Sequence, residues 1–386
     1  MNKIKDKWEN TYFVVASYRD DKHILKEVEE VITQLEDDSL QVSPMMGSKF
    51  VNEIKEEVQE WETRLGYISD VIDEWLTFQK SWMYLESIFS AEDIQQQLKA
   101  ESKQFTIVNK FWMDHMNKVK QNAKVIGFAD SGGLKKKFVE NNKKLDEIQK
   151  GLSDYLGTKR AAFPRFYFLS DDELIEILSQ TRNVQAVQPH LQKCFDNIKK
   201  VEFTREKDSK EIIGMWSGEG EYVAFSQSVF AHGVVETWLS KIEDMMIQSL
   251  YDQTRHAQEN YPEDGTQRDK WLFDYAAQPV LTIDMVQWTA GVTAAIKEIM
   301  SGVNAGALNE FLSFSELQLD NMIKLVRGKL DKLQRAALGA LIVLDVHAKY
   351  VVTDFLIKNR VENINSFDWQ QQLRYYWEEL LEDDGD

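Results

Sequence analysis

The sequence has a single cysteine, Cys194, and only 5 prolines among its 386 residues. One cysteine cannot form an internal disulfide, so we expect packing alone to hold the fold and a reducing, cytoplasmic environment to suit it. With few prolines and only 18 glycines, long stretches are free to form helices. No apolar run approaches the ~20 residues of a membrane-spanning helix, and the charged N-terminus lacks the apolar core of a signal peptide. The sequence therefore predicts no membrane contact.

Positive charge and catalytic motifs are also scarce. The 46 basic residues are outnumbered by 64 acidic ones, giving a net charge of −18, and phosphate backbones need a positive surface, so nucleic acid is not an expected partner. The motifs HExxH, GxxxxGK[ST] and GxSxG are absent. No histidine stands at metal-ligand spacing from another histidine or from Cys194. The sequence thus predicts no catalytic residue, no cofactor and no metal site.

Apolar residues instead recur at helical spacing. From Phe50 to Phe78 they fall every three or four positions, with charged residues between them, which places one apolar stripe along a helix. Similar stripes follow in four later segments, 105–116, 145–155, 235–250 and 322–341. Because the chain also has 11 tryptophans and 20 phenylalanines, these helices are expected to pack closely. The pattern predicts an all-α fold of consecutive helical bundles.

One region departs from the helical pattern. The segment Val201–Arg205 alternates apolar and polar residues, and two further β-prone runs, 212–216 and 221–225, flank the turn sequence Ser217-Gly218-Glu219-Gly220. Runs of this kind around a glycine-rich turn are typical of a β-hairpin. We predict one small hairpin inserted among the helices.

The segment 163–174, Phe-Pro-Arg-Phe-Tyr-Phe-Leu-Ser-Asp-Asp-Glu-Leu, is the most distinctive in the chain. Pro164 disfavours helix at the preceding residue, so the helix before it should end between 157 and 162. Ser170 with Glu173 three residues later predicts a capping box that starts the next helix. Capping and the helix dipole account for the acidic triplet, so a catalytic role is not needed.

The aromatic residues of this segment have two possible roles. Phe163, Phe166 and Phe168 are expected to be core residues where two helical bundles join. The alternative is that one of them docks on another surface, since aromatic side chains dominate many interfaces.

Several sequence blocks also occur, in the same order, in one protein family. They are Trp82–Phe89, Phe163–Arg182, Val187–Asp196, Gly218–Glu221, Gly233–Leu239, Val346–Ala348 and Phe367–Trp377. Spread over nearly the whole chain, they resemble the linker of the dynein heavy chain. The forms Val-His-Ala and Gln-Leu-Arg-Tyr-Tyr-Trp favour an axonemal dynein. The chain departs from the family at Lys99, Ala100 and Val184, where proline is frequent.

The resemblance implies a fold and a function. It implies an elongated, curved, helical rod that swings over a ring of AAA+ modules and converts ATP-driven changes in the ring into movement along microtubules. The expected partners are the AAA+ ring of the same heavy chain and, indirectly, the rest of the dynein complex and microtubules. The expected location is the axoneme of a cilium or flagellum. Since the ATPase modules would follow Asp386, the chain itself is expected not to be an enzyme.

The resemblance also suggests parts and sites. We expect an N-terminal helical subdomain (1–100), a central one with the aromatic segment (101–200), the hairpin insert (201–232) and a C-terminal helical subdomain (233–386). Candidate ring-docking or junction residues are Phe163, Arg165, Phe166, Phe168, Trp216, Glu219 and Glu221. The alternative function is a helical scaffold that binds other proteins, which would favour a regular repeat.

Overall fold

The computed structural model describes residues 1–19, 21–129, 133–179, 183–206, 209–262 and 268–378. The chain divides into two compact units, Met1–Asn183 and Val184–Asp386. Both are predominantly helical, which confirms the predicted fold class. The finer division into four parts stays a prediction.

Unit 1 consists of long helices with one small hairpin near its start. Its helices are α1 (Asn2–Glu9), α2 (Val28–Val42), α3 (Lys55–Phe89), α4 (Glu92–Gln97), α5 (Lys99–Gln121), α6 (Val125–Ala129), α7 (Leu134–Ala162) and α8 (Asp171–Leu178). Strands β1 (Val14–Tyr18) and β2 (Lys22–Lys26) form the hairpin, and short 3₁₀ helices cover Ser43–Gly47 and Pro164–Phe168.

Helices α3, α5 and α7 pack against one another and form the core of unit 1. The apolar stripe predicted from the sequence lies on α3, but the helix begins at Lys55 rather than near Phe50. Residues 48–54 form turns instead, in which the amides of Val51 and Ile54 bond to carbonyls three residues back. Phe50 therefore stays outside the helix and is 91% exposed.

The β1–β2 hairpin was not predicted from the sequence. It is fixed to α3 by side chains that replace a third strand: the Gln79 amide accepts a hydrogen bond from the Leu25 N–H (2.7 Å) and donates one to the Leu25 carbonyl (3.0 Å). Glu86, buried on α3, also pairs with Lys22 and Arg19 from the hairpin. Because these partners are 54 to 67 residues apart in sequence, no local pattern could indicate them.

A cluster of aromatic rings fills the centre of the α3–α5–α7 bundle. Phe138 lies within 5.7 Å, between ring centroids, of Trp75, Phe78 and His115. His115 is 8% exposed, and its Nε2 is buried without a hydrogen-bond partner. Burial, reinforced by the charges of Lys118 and Lys137, lowers the pKa of His115 from 6.5 to about 4. The folded protein therefore holds this histidine neutral.

Lowering the pH should reduce the stability of unit 1 through His115. The unfolded chain binds a proton near pH 6.5 that the folded chain accepts only near pH 4, so the free energy of unfolding falls as the pH drops through that window. Between pH 7 and pH 5 the loss should be about 2 kcal/mol. Urea unfolding read by hydrogen exchange in α5 and α7 measures it. His115→Phe should remove this part of the pH dependence, whereas His23→Phe, on the partly exposed hairpin, should keep it; equal slopes in both variants would contradict the assignment.

Unit 2 combines a three-stranded sheet with helices. The strands are β3 (Ile198–Phe203), β4 (Glu211–Ser217) and β5 (Tyr222–Phe230). The helices are α9 (Leu191–Cys194), α10 (Val235–Glu259), α11 (Arg268–Trp271), α12 (Ala277–Met300), α13 (Ala307–Val326), α14 (Lys332–Tyr350) and α15 (Phe367–Gln370). A 3₁₀ helix covers Val184–His190, and α14 continues as a π-helix over Val351–Ile357.

The predicted hairpin is present as β4 and β5, but it belongs to a larger sheet. The alternating run that begins at Val201 supplies the last residues of β3, which ends at Phe203. Strand β3 pairs antiparallel with β4, with Val201 opposite Met215. The strand order is β3–β4–β5. Strand β5 packs on α10, and the Ser226 N–H donates to the Ser249 hydroxyl on that helix (3.0 Å). The hairpin is therefore an integral part of unit 2.

Apolar clusters and a buried ion network lie between the described helices of unit 2. One cluster contains residues of α12, α13, the π-helix and α15. Another contains residues of α10, α11, α12, α13 and α14. Arg268, at the start of α11, pairs with Asp284 of α12 at 2.5 Å and with Asp345 of α14. Burial raises the pKa of Asp284. Since the arginine is shared by two carboxylates, it fixes α11, α12 and α14 relative to each other, and removing it would leave buried charge uncompensated.

Helices α12 and α13 approach closely at Gly291. A Cβ built there would lie 2.3 Å from Cε2 of Phe311, so Gly291→Ala should force this contact apart and cost about 1–3 kcal/mol. Gly339 on α14 is a matched control because nothing lies within 4 Å of its Cβ position. Gly339→Ala should stabilise the helix by up to ~1 kcal/mol. Urea unfolding of the two variants tests this; equal stabilities would refute the close contact.

No helix among the described residues is both long and apolar enough to cross a membrane.

Candidate functional site

The predicted site residues lie on two separate features, one in each unit. The first is the aromatic turn, defined here as residues 163–170 of unit 1. Helix α7 ends at Ala162, Pro164 begins the 3₁₀ helix, and α8 begins at Asp171. The Ser170 hydroxyl accepts a hydrogen bond from the Glu173 N–H, and the Glu173 side chain accepts one from the Ser170 N–H. The predicted helix stop and capping box are thus both confirmed.

The three-residue period of the 3₁₀ helix determines which rings of the aromatic turn are buried. With three residues per turn, positions i and i+3 lie above one another, and Phe163, Phe166 and Leu169 are all buried. Phe163 and Phe166 meet edge to face at 5.0 Å. Tyr167 and Phe168 point away from them and are 68% and 66% exposed. The expectation of a core position is therefore confirmed for Phe163 and Phe166 and wrong for Phe168.

Arg160, in the last turn of α7, holds the aromatic turn in place. Its guanidinium donates to the Phe166 carbonyl (3.4 Å) and the Leu169 carbonyl (3.1 Å). It also pairs with Asp171 at 2.8 Å and lies 6.0 Å from the ring centre of Tyr167. Sequence reasoning missed Arg160, because its partners become neighbours only once the chain reverses at Pro164. Arg165, one of the predicted residues, lies half-buried on the same turn.

Replacing Arg160 should loosen the aromatic turn. Arg160→Met keeps much of the apolar stem but loses both carbonyl hydrogen bonds and the ion pair, at a cost of about 2 kcal/mol. Amide protection from 163 to 173 should fall, as measured by hydrogen exchange. Lys143→Met, at an exposed position earlier on α7, should leave that protection unchanged; a similar fall there would show that Arg160 has no special role.

A pocket of about 340 Å³ lies next to Asp171, where α8 begins. Its charged lining residues are Asp146, Lys150 and Asp171, and Tyr84 also lines it. Burial raises the pKa of Tyr84, and the charges of Asp172 and Asp171 raise it further.

The second feature is the β4–β5 loop, defined here as residues 217–221. The Gly218 N–H donates to the Asn197 carbonyl (3.0 Å), and Gly220 takes a φ of +96°, which favours glycine. Glu219 is exposed and accepts a hydrogen bond from the Asn197 amide (2.7 Å). This bond is the largest of the interactions that lower the pKa of Glu219. The loop therefore presents a fixed, ionised carboxylate.

The other two predicted residues of this region have structural partners. Glu221 accepts a hydrogen bond from the N–H of Ala277, the first residue of α12 (2.9 Å), where the helix dipole favours an anion. Trp216 donates to Glu202 (2.6 Å) and lies 4.9 Å from the ring of Tyr222. Tyr222 in turn covers Gly214, and a Cβ atom added at this glycine would lie 2.5 Å from the tyrosine hydroxyl.

A groove of about 520 Å³ begins at the β4–β5 loop and was not predicted from the sequence. Its walls come from the sheet, from α10, from the start of α12 and from α14. The apolar lining is Ile198, Met215, Val223, Leu250, Leu281, Leu333 and several alanines, and the charged lining residues are Asp196, Glu219 and Glu221. The groove therefore combines an apolar floor with charged groups that are all acidic.

In the described ranges, no three His, Cys, Asp or Glu side chains are grouped so that they could hold a metal ion. Cys194 is buried. Exposed aromatic side chains and apolar grooves are common at protein interfaces.

Comparison with known proteins identifies the family. The family described as dynein heavy chain, N-terminal region 2, matches residues 1–257.

The chain belongs to this dynein heavy chain family.

Several axonemal dynein heavy chains are similar to this chain over nearly its whole length. Human dynein axonemal heavy chain 6 is 40% identical over 397 residues, which cover 98% of this chain and 10% of the relative. Human dynein axonemal heavy chain 3 is 41% identical over 381 residues, 98% of this chain and 9% of the relative. Human dynein axonemal heavy chain 2 is 40% identical over 387 residues, which cover 99% of this chain and 9% of the relative. The chain thus spans about a tenth of the length of these relatives, and its sequence is that of a dynein heavy chain N-terminal region.

Proposed function

We propose that this region is the mechanical linker of an axonemal dynein motor, a lever that carries changes in an AAA+ ring to the rest of the molecule. The observation that carries the proposal is the match of residues 1–257 to a dynein heavy chain N-terminal region, with relatives that are axonemal dynein heavy chains. On this proposal the region works in the axoneme of a cilium or flagellum. Its partners are the AAA+ ring of the same heavy chain and, indirectly, the other dynein subunits and microtubules.

The helices of unit 1 suit the transmission of force. Helix α3 has 35 residues and α7 has 29, so α3 alone is about 50 Å long. They pack side by side around the aromatic cluster. A packed pair of long helices resists bending better than a single helix, and it would pass on a displacement applied at one end.

The lever also needs surfaces that dock and release. The exposed pair Tyr167 and Phe168 is held on a rigid turn by Arg160, and a rigid aromatic pair loses little conformational entropy on binding. We propose that this pair docks on the ring. Trp216, Glu219 and Glu221 stay candidate docking residues in unit 2, and Phe163, Arg165 and Phe166 would support the turn from within.

The alternative, a scaffold that binds other proteins, is less well supported. A solenoid scaffold would stack similar helical repeats. The helices described here range from 4 to 35 residues. In unit 2 a three-stranded sheet interrupts the series of helices.

Removing the exposed aromatic pair tests the lever. In a complete heavy chain that carries this sequence, Tyr167→Ser with Phe168→Ser should slow microtubule gliding several-fold, since interface anchors of this type contribute about 2 kcal/mol. ATP turnover without microtubules should persist. Phe50→Ser removes another exposed aromatic side chain of unit 1, and the motor with this substitution should move microtubules at the normal velocity. Normal gliding by the double variant would contradict docking through the turn.

The chain on its own should not turn over ATP. Purified as the 386-residue protein, it is expected to be folded and helical by circular dichroism and inactive in an ATPase assay. Sustained turnover that co-purifies with the chain through successive columns would contradict a purely mechanical role.

A further inference from the structure

The groove beside the β4–β5 loop has the features of a binding site, and a binding function there would be independent of the lever function. Its volume is about 520 Å³, and its floor is apolar. A cavity of roughly 150 Å³ holds a benzene-sized group, so the groove has space for about three side chains of that size. Burying apolar groups there would supply the main favourable free energy of binding.

The shape of the groove favours a ligand that comes close to α14. Three of its lining residues on that helix are alanines, Ala336, Ala337 and Ala340. Ala336 and Ala340 are exposed although they line an apolar surface. Since alanine ends at Cβ, a polypeptide can lie near the helix backbone here and place its own larger side chains against Leu250, Leu281 and Leu333.

The charge of the groove selects the type of ligand. Among the lining residues, Asp196, Glu219 and Glu221 are charged, and all three are acidic. Glu219 is held by Asn197 and is exposed at the loop. Carboxylates favour lysine or arginine and disfavour phosphate or carboxylate groups. The carboxylate of Glu221 already bonds to the start of α12, which leaves Glu219 and Asp196 as the principal partners of a cation.

We propose that this groove binds a short segment of a partner protein in which aliphatic side chains are flanked by lysine or arginine. The aliphatic side chains fill the apolar floor, and the basic side chains pair with Glu219 and Asp196. The strongly acidic composition of the chain assists the approach of such a segment, because net charge steers the encounter of oppositely charged partners.

The test selects the ligand chemistry without assuming it. A phage library of short random peptides is panned against the whole 386-residue chain, and enriched peptides are synthesised and titrated by fluorescence anisotropy. We expect enrichment of Leu, Ile or Val next to Lys or Arg. Ala340→Trp, which fills the groove, should weaken binding at least roughly tenfold. Val343→Trp is the matched control, one turn further along α14 and outside the groove lining, and should bind normally.

A second variant keeps the proposal testable if Ala340→Trp does not fold. Glu219→Gln preserves the size of the side chain and should weaken binding roughly threefold, with a smaller dependence on salt. Peptides without basic residues, peptides that bind equally to Ala340→Trp and Val343→Trp, or a failure to enrich any peptide would each overturn the proposal. A fragment screen in which small molecules occupy the groove while no peptide does would also overturn it, in favour of a small-molecule site.

Discussion

The packing of α3 against α5 and α7 is the constraint on which the rest of unit 1 depends. The aromatic cluster of Trp75, Phe78, Phe138 and His115 fixes the distance between these helices. Once α3 is fixed, it supplies Gln79 and Glu86 to hold the N-terminal hairpin. The end of α7 then positions Arg160, which sets the aromatic turn. The exposed pair at 167 and 168 is thus held, through several contacts, by the core of the bundle.

Unit 2 is held by a different kind of interaction. Helix α10 covers one side of its sheet. Helices α11, α12 and α14 are fixed by the buried network of Arg268, Asp284 and Asp345. A buried ion pair of this type is weak evidence for stability, but it penalises alternative packings because each charge needs its partner. The groove by the β4–β5 loop exists because the sheet, α12 and α14 meet around small alanine side chains.

Local features of the sequence predicted much of the helical structure. The stripe on α3, the stop at Pro164 and the capping box at Ser170 each depend on residues within a few positions of one another. The hairpin β4–β5 was also predicted, from its β-prone runs and glycine turn. The pairing of β3 with β4, the first hairpin and the role of Arg160 were not predicted. Their contacts join residues that the sequence separates, or that meet only after a chain reversal.

The sequence by itself determined the helical class, the helix boundaries near capping residues and proline, and the family, because these follow from local spacing and from ordered blocks. Only the tertiary structure decided which aromatic residues are exposed. Phe163, Phe166 and Phe168 are the same residue type in one short segment, yet the three-residue period of the 3₁₀ helix buries two and exposes the third. It likewise decided that Glu219 presents its carboxylate at a groove while Glu221 binds a helix N-terminus. Side-chain environment depends on distant segments, which a local pattern cannot contain.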